Sequence, residues 1–197
     1  LAKNPGCWMA HHNWAVNLAA RGEYGAAEEH YRAGLALYAD AEAHLGLGAV
    51  LEAQGNYAEA QAQYLAAIRV KPDYAEAHSN LSSLAVKRGD AQEAARYASE
   101  ALLLQPHHAQ AHFNLGNALN LQGDTTNAMA EYSAAIRLKP DYAEAIYNLG
   151  CAHFLLGHTD QAAARLGQLV RLQPANAAAR NKLAFVLARS GQTAQAI

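Results

Sequence analysis

The apolar residues of this chain follow a helical period, and residues 109–142 show the pattern clearly. One helix face is marked there at the i, i+3, i+4, i+7 spacing by His112, Leu115, Gly116 and Leu119. Gly123 follows this run, and glycine readily adopts the left-handed conformation that closes a helix. A second run contains Ala128 and Tyr132, and Pro140 stops it because proline cannot continue a helix. The stretch therefore predicts two helices joined by a short turn.

The same pattern recurs every 34 residues along nearly the whole chain. The recurring residues are Pro72, Pro106, Pro140 and Pro174, then Gly55, Gly89, Gly123, Gly157 and Gly191, and then Ala60, Ala94, Ala128, Ala162 and Ala196. This period is typical of helix pairs that stack on their sequence neighbours. It predicts an all-α solenoid, one array over residues 1–197. The predicted repeats are about 8–40 (degenerate, without the proline), 41–74, 75–108, 109–142, 143–176 and a partial repeat at 177–197.

The two ends of the array predict that this sequence is part of something larger. The partial repeat holds one whole helix and the start of another, which would leave an apolar face uncovered. We therefore expect either more chain after Ile197 or a partner molecule on that face. The beginning of the sequence, LAKNPGCWMAHHNW, has neither an initiating Met nor a signal peptide and is typical of a piece of a longer protein.

Composition excludes several classes of partner. The formal net charge is −2 at pH 7 without a visible basic cluster, which argues against binding to nucleic acid. No apolar run approaches the roughly 18 to 20 residues that span a bilayer, so we expect a soluble module without direct membrane insertion. Cys7 and Cys151 lie far apart and in non-equivalent repeat positions, and we expect both to be free thiols.

The sequence offers no specific signal for catalysis, for a cofactor or for a metal. It has no Gly-rich phosphate loop and no nucleophile elbow. His44, His78 and His112 recur one repeat apart, so each belongs to a different helix pair and we interpret them as packing residues. We therefore expect a non-enzymatic chain with no cofactor and no metal site.

The repeat resembles the tetratricopeptide family, whose signature is W-x2-L-G-x2-Y, then A-x3-F, then P. In this sequence the signature is His112-x2-Leu115-Gly116-x2-Leu119, then Ala128-x3-Tyr132, then Pro140. The phrases PDYAEAHSNL and PDYAEAIYNLG are similar to repeats of O-linked N-acetylglucosamine transferases and their bacterial relatives. The first residues, LAKNPGCWMAHHNWA, resemble the junction before the repeat tail of some bacterial membrane glycosyltransferase-type proteins. The unit 75–108 departs from the pattern, with Ser82 in place of the glycine and Ala98 in place of the ring.

The resemblance implies a right-handed superhelix whose first helices line a concave groove. Position 6 of the unit would face that groove, and it is asparagine in four units: Asn13, Asn80, Asn114 and Asn148. Asparagine is a mediocre helix former, so its recurrence needs a reason. One interpretation is a ladder of amides that binds the peptide groups of an extended chain, as the transferase family does. The alternative is that each amide bonds to a neighbouring helix or to water and only shapes the superhelix.

Rings and one cation complete the predicted groove surface. They lie mainly in the later units, at Phe113, Tyr147, Phe154, Phe185 and Lys182, with Asn117 and Cys151 beside them. Exposed rings often mark a binding surface, although these could instead fill space between adjacent first helices. Asn117, Asn148 and Lys182 partly resemble the carboxylate clamp of chaperone-binding repeats. One cation in place of three argues against that clamp.

Three functions remain open at this point. The first is a protein-interaction scaffold that binds an extended peptide or a partner helix in the groove. The second is the targeting or assembly domain of a larger membrane-bound glycosyltransferase-type protein. The third is self-association through the exposed ends of the terminal repeats, which would give a homo-oligomer.

Overall fold

The chain is a right-handed solenoid of helices in the computed structural model, which describes residues 5–191 and only the backbone of residues 5 and 6. Eleven helices and no strands are found in that range. They are α1 (Pro5–Ala20), α2 (Tyr24–Leu37), α3 (Ala41–Ala53), α4 (Tyr57–Val70), α5 (Ala75–Arg88), α6 (Ala91–Leu104), α7 (Ala109–Leu121), α8 (Thr125–Leu138), α9 (Ala143–Leu155), α10 (Thr159–Leu172) and α11 (Ala177–Arg189). Each helix packs against the next along the chain, so the predicted all-α stack of antiparallel pairs is confirmed. The predicted second helix of the partial repeat, with Ala196, lies outside the described residues.

Local side chains start and stop these helices. Asp40, Asp90 and Asp124 each accept a hydrogen bond from the backbone amide three residues later, which satisfies a free donor at the beginning of α3, α6 and α8. At the end of α5, Gly89 has a φ of 77° and its amide bonds back to the carbonyls of Ala85 and Val86. That left-handed conformation favours glycine because a side chain would be strained there. The chain therefore reverses direction within a few residues.

Small residues let the helix axes approach closely. One alanine near the start of each second helix is fully buried: Ala27, Ala60, Ala94, Ala128 and Ala162 are each 0% exposed. In two of the units a tyrosine ring from the second helix, Tyr64 or Tyr132, fills the space above a glycine of the first helix. Dense packing of this kind accounts for the high alanine content and makes each unit depend on its neighbours.

The middle of the array departs from the regular pattern at α5 and α7. Ser79, which takes the place of the larger Leu45, Phe113 and Tyr147 of the other units, is buried on α5. Its small side chain lets α7 pack directly against α5 as well as against α6. We refer to the face of the first helices over α1, α3 and α5 as the N-terminal half of the groove, and to that over α7, α9 and α11 as the C-terminal half.

Candidate functional site

The predicted amide ladder is not continuous, because Asn114 is buried. Its side chain is 1% exposed, and its Nδ2 donates to the carbonyl oxygen of Ser79 at 2.8 Å. Its Oδ1 accepts a hydrogen bond from Nε2 of Gln110 at 3.0 Å. The ladder interpretation is therefore wrong at Asn114, where the amide bonds to a neighbouring helix as in the alternative. The physical reason is the small Ser79, which lets α7 approach α5.

Asn148 and Asn117 join α9 to α7 by a hydrogen bond within the groove. The Nδ2 of Asn148 donates to Oδ1 of Asn117 at 2.8 Å. The same Oδ1 accepts the hydroxyl of Tyr132 at 2.9 Å. Both asparagines remain partly exposed, and the Nδ2 of Asn117 and the Oδ1 of Asn148 make no hydrogen bond within the described residues. Each therefore keeps one polar atom that a ligand can use.

Asn80 and Asn13 lie in the N-terminal half of the groove, and Asn13 is exposed on α1. Asn80 lines a cleft of about 430 Å³ together with Glu52, Tyr64 and Lys87. Glu52 accepts the Tyr64 hydroxyl at 2.7 Å and the Lys87 ammonium at 2.6 Å. The two donors neutralise and hold this carboxylate, so it serves as a cross-link of α3, α4 and α5.

The Glu52 cross-link was missed at the sequence level. Its three residues come from different helices and their spacing follows no motif. A repeat-by-repeat comparison gives one signal for it. Glu52 and Lys87 both lie near the C-terminal ends of neighbouring first helices, at positions where the other units have mostly apolar or amide side chains.

Phe113 does not lie free in the groove. Its ring centroid is 5.0 Å from that of Tyr142 and 6.0 Å from that of Tyr132, and the Phe113 ring is tilted against both. Tyr147 similarly packs against the cluster of Ile146, Leu169 and Ala179 while staying partly exposed. These two rings therefore pack between helices, and Tyr147 also borders the open cleft of about 490 Å³ between α9 and α11.

Lys182 and Phe185 of α11 lie together with Phe154 of α9. The ammonium of Lys182 lies 5.4 Å from the ring centroid of Phe154 and 5.6 Å from that of Phe185. The two rings meet edge to face at 5.4 Å, and 51% of Phe185 is exposed. No carboxylate lies within 4 Å of Lys182 in the part of the chain that the structure describes. We refer to Phe154, Lys182 and Phe185 as the aromatic–lysine cluster.

Cys151 lies half-buried beside this cluster. Burial raises the pKa of its thiol, while the charge of Lys182 and a hydrogen bond with the Tyr147 hydroxyl act in the opposite direction. A raised pKa keeps the thiol protonated at neutral pH, and the protonated form is a poor nucleophile. Cys7, by contrast, is exposed, and neither cysteine is in a disulfide. Cys151 therefore lies beside the aromatic–lysine cluster as a half-buried thiol.

His44 and His112 belong to separate helix pairs. His112 Nδ1 lies 2.6 Å from Glu131 Oε2, and His44 Nδ1 lies 2.7 Å from Gln63 Oε1, so each joins the two helices of its own unit. Within residues 5–191 no three His, Cys, Asp or Glu side chains are grouped as metal ligands. None of the helices in the same range is long and apolar enough to cross a membrane.

Comparisons with known proteins agree with this architecture. Two tetratricopeptide repeat family models match, one at residues 12–75, 50–102 and 79–143 and the other at residues 119–174. No curated protein sequence matches the chain. The similarity to O-linked N-acetylglucosamine transferases therefore stays a prediction.

Solved structures share the fold at low sequence identity. A thermophilic protein of this class from Thermus thermophilus is 22% identical, with a TM-score of 0.75, over 92% of this chain and 99% of that one. PilF of Pseudomonas aeruginosa is 16% identical, with a TM-score of 0.86, over 97% and 89%. YrrB, described as having an unusual peptide-binding site, is 25% identical, with a TM-score of 0.66, over 87% and 89%. The helix stack and the matched family models lead to one conclusion: this chain belongs to the tetratricopeptide repeat family.

Proposed function

We propose that this chain is a non-catalytic interaction scaffold that binds an extended peptide in the C-terminal half of its concave groove. The main support is the aromatic–lysine cluster. There the Lys182 ammonium lies against the half-exposed ring of Phe185 and has no carboxylate partner among the described residues. Burying a ring of this size stabilises a complex by about 1.5 to 3 kcal/mol. About half of Phe185 stays exposed in the folded chain, so this apolar surface is available to a ligand. Repeat proteins of this family typically mediate protein–protein interaction, and YrrB is described as having an unusual peptide-binding site.

The groove beside the cluster supplies the hydrogen bonds that an extended peptide needs. The Nδ2 of Asn117 is a donor for a peptide carbonyl, and the Oδ1 of Asn148 is an acceptor for a peptide N–H. Tyr147 and Cys151 form the wall between these amides and Lys182. A peptide along this path would place an apolar side chain on Phe185 and a carboxylate near Lys182. Asn114 is excluded from the contact set because it is buried, and Asn80 and Asn13 lie in the other half of the groove.

A displayed library of random peptides tests the proposal. The chain is used to enrich peptides, and a synthetic copy of the enriched sequence is titrated by calorimetry. We expect a dissociation constant near the micromolar range, which corresponds to about −8 kcal/mol. Phe185→Ala and Lys182→Gln should each weaken binding by about tenfold, or about 1.4 kcal/mol.

Leu103→Ala is the matched control. Leu103 is 84% exposed, but it lies on a second helix, away from the groove. Its truncation removes a comparable apolar surface and should leave the affinity unchanged. Equal binding by the Phe185→Ala and Leu103→Ala variants would place the peptide elsewhere and contradict the proposed site.

A further inference from the structure

Three arginines of the last two complete repeats lie together on the convex side. Arg137 on α8 and Arg165 and Arg171 on α10 are all exposed. In the preceding repeats Arg32 contacts Glu28 and Glu59, and Arg96 contacts Glu100. Among residues 5–191, no carboxylate lies within 4 Å of Arg137, Arg165 or Arg171. We call these three residues the arginine face.

Two clefts lie between the arginines, and Arg165 borders both. The cleft shared by Arg137 and Arg165 has a volume of about 400 Å³ and includes Ile136, Leu149 and Ser133 in its lining. The cleft shared by Arg165 and Arg171 has a volume of about 350 Å³ and includes His153, Gln161 and Gln168. An apolar floor with a charged rim is the arrangement found at protein–protein interfaces, where the rim keeps its water and the floor is buried.

Acidic and basic residues are unevenly distributed along the solenoid. Residues 1–124 contain eight Lys and Arg against thirteen Asp and Glu, whereas residues 125–197 contain seven against four. The net charge of −2 is therefore the sum of an acidic N-terminal part and a basic C-terminal part. The pKa of His153, which lies in the basic part, is lowered first by burial and then by the positive charges of His158 and Arg165.

We propose that the arginine face docks an acidic segment of a partner protein in which carboxylates alternate with apolar side chains. The planar guanidinium forks of the three arginines match carboxylates in two-point hydrogen bonds. One apolar side chain of the partner would enter the cleft over Ile136 and Leu149. The three arginines lie on the second helices α8 and α10, and α9 contributes Leu149 and His153 to the linings of the two clefts. None of the residues proposed to contact the groove peptide lines either cleft.

Charge favours an acidic protein over a nucleic acid as the occupant. A nucleic acid needs a row of cations that follows its backbone, because each neutralised phosphate adds to the affinity. Here three arginines are clustered within one end of the array, and the remainder of the chain carries an excess of carboxylates that repels a long polyanion. A short acidic peptide contacts only the cluster and avoids that repulsion.

The test uses the full chain and a fluorescent peptide made of repeated Glu-Leu-Glu triplets. Its anisotropy is followed on titration, beside a Gln-Leu-Gln peptide of the same length. We expect the Glu peptide to bind, the Gln peptide not to bind, and the affinity to fall as salt rises, since surface charges are screened. The Arg137→Gln/Arg165→Gln double variant should weaken binding by about tenfold or more.

Arg69→Gln is the matched control, because Arg69 has the same repeat position as Arg137 and Arg171 but lies on α4, outside the arginine face. It should bind the Glu peptide within about twofold of the unchanged chain. All substituted side chains are exposed, and circular dichroism checks that each variant keeps its helices. Arg171→Gln alone provides an independent readout, with an expected loss of a few fold.

Three results would overturn the proposal. The first is equal binding of the Glu peptide by the unchanged chain and the double variant. The second is tighter, arginine-dependent binding of a single-stranded oligonucleotide or of vesicles with anionic lipid, which would assign the surface to another class of ligand. The third is a concentration-dependent dimer, seen by sedimentation, that the double variant abolishes, because the occupant would then be a second copy of this chain.

Discussion

A Cβ atom added to Gly116 would lie 2.6 Å from Cε1 of Tyr132, so the glycine and the ring fit only as a pair. The same relationship holds for Gly48 and Tyr64, where the distance is 2.5 Å. In the unit 75–108 both partners change together. Ser82 takes the glycine position and donates its hydroxyl to the carbonyl of Ala94 at 2.7 Å, while Ala98 takes the ring position. The unit 143–176 has a third combination, in which Gly150 faces Leu166 and an added Cβ would lie 2.9 Å from the Cγ of Leu166. The side chains at these two positions are therefore matched to each other in each of these units.

The paired exchange predicts strong coupling between positions 116 and 132. Gly116→Ser alone should lower the free energy of unfolding by about 1 to 3 kcal/mol, because the new side chain meets the ring. Tyr132→Ala alone should cost about 3 to 5 kcal/mol, since it leaves a cavity in a fully buried site. The double variant reproduces the Ser82–Ala98 arrangement and should be more stable than the sum of the two changes indicates. Urea unfolding of all four chains completes the double-mutant cycle.

Gly167→Ser combined with Tyr132→Ala serves as the control for that cycle. Gly167 lies on α10, and the nearest atom to an added Cβ there is 3.6 Å away on the Arg171 side chain. These two changes should be additive. Additivity at Gly116 and Tyr132 as well would show that the glycine and the ring do not select each other.

Asn114 leads to a prediction about stability. Replacing Asn114 with Ala removes the hydrogen bond to the Ser79 carbonyl between α7 and α5. The free energy of unfolding should fall by about 1 to 3 kcal/mol. Asn80→Ala is the matched control at the same repeat position. The Asn80 side chain is partly exposed and has no hydrogen bond within the described residues. Its replacement should therefore change the free energy of unfolding by no more than about 0.5 kcal/mol. Equal denaturation midpoints for the two variants would contradict the buried role of Asn114.

The helices could be predicted from the sequence because every local signal is repeated. The apolar period, the Pro-Asp-Tyr stop and the capping glycine all favour the same boundary in several units. Gly123, for example, predicts the end of the first helix, and α7 ends at Leu121 before α8 begins at Thr125. Agreement between local preference and stacking is what makes a repeat sequence specify one fold.

The groove could be predicted only in part, because exposure depends on side chains of the neighbouring unit. Asn114 and Asn148 have the same repeat position and similar local sequences, yet only Asn114 is fully buried. The difference comes from residue 79 on α5, a serine where the other units have larger side chains. Phe113 likewise meets the Tyr142 ring of the next loop. A period identifies the face of one helix, but not the distance to the next helix.

Cys151 and Cys7 should differ in their reaction with iodoacetamide. Burial raises the pKa of Cys151, so at pH 7 its thiolate is scarce and we expect alkylation of the exposed Cys7 first. The rate at Cys151 should rise with pH because more thiolate forms. Lys182→Gln removes the charge that lowers this pKa and should slow the reaction further. Mass spectrometry of the two peptides over time measures both rates.

A peptide bound in the C-terminal half of the groove should protect Cys151 and leave Cys7 unaffected. Cys7 thus acts as an internal control within the same molecule. Faster alkylation of Cys151 than of Cys7 in the free chain would contradict the half-buried position of that thiol.

His153 should make the C-terminal repeats sensitive to acid. Burial, followed by the charges of His158 and Arg165, lowers the pKa of His153 below its ordinary value near 6.5. The folded state therefore favours the neutral ring. This contribution to stability is present above the unfolded-state pKa and is lost as the pH falls from about 7 towards the lower pKa of the folded state. His153→Gln should reduce the loss of stability between pH 7 and pH 5, measured by urea unfolding.

Arg165→Gln tests the electrostatic part of the same argument. Removing this charge should raise the pKa of His153, because a nearby cation disfavours the imidazolium, and the shift can be followed by NMR titration of the ring protons. Arg69→Gln, on a distant helix, should leave that titration unchanged. The direction of the pKa shift decides the outcome. A His153 pKa that stays constant or falls in Arg165→Gln would show that the charge of Arg165 does not act on this ring. The electrostatic potential at the arginine face would then be weaker than its three guanidinium groups indicate.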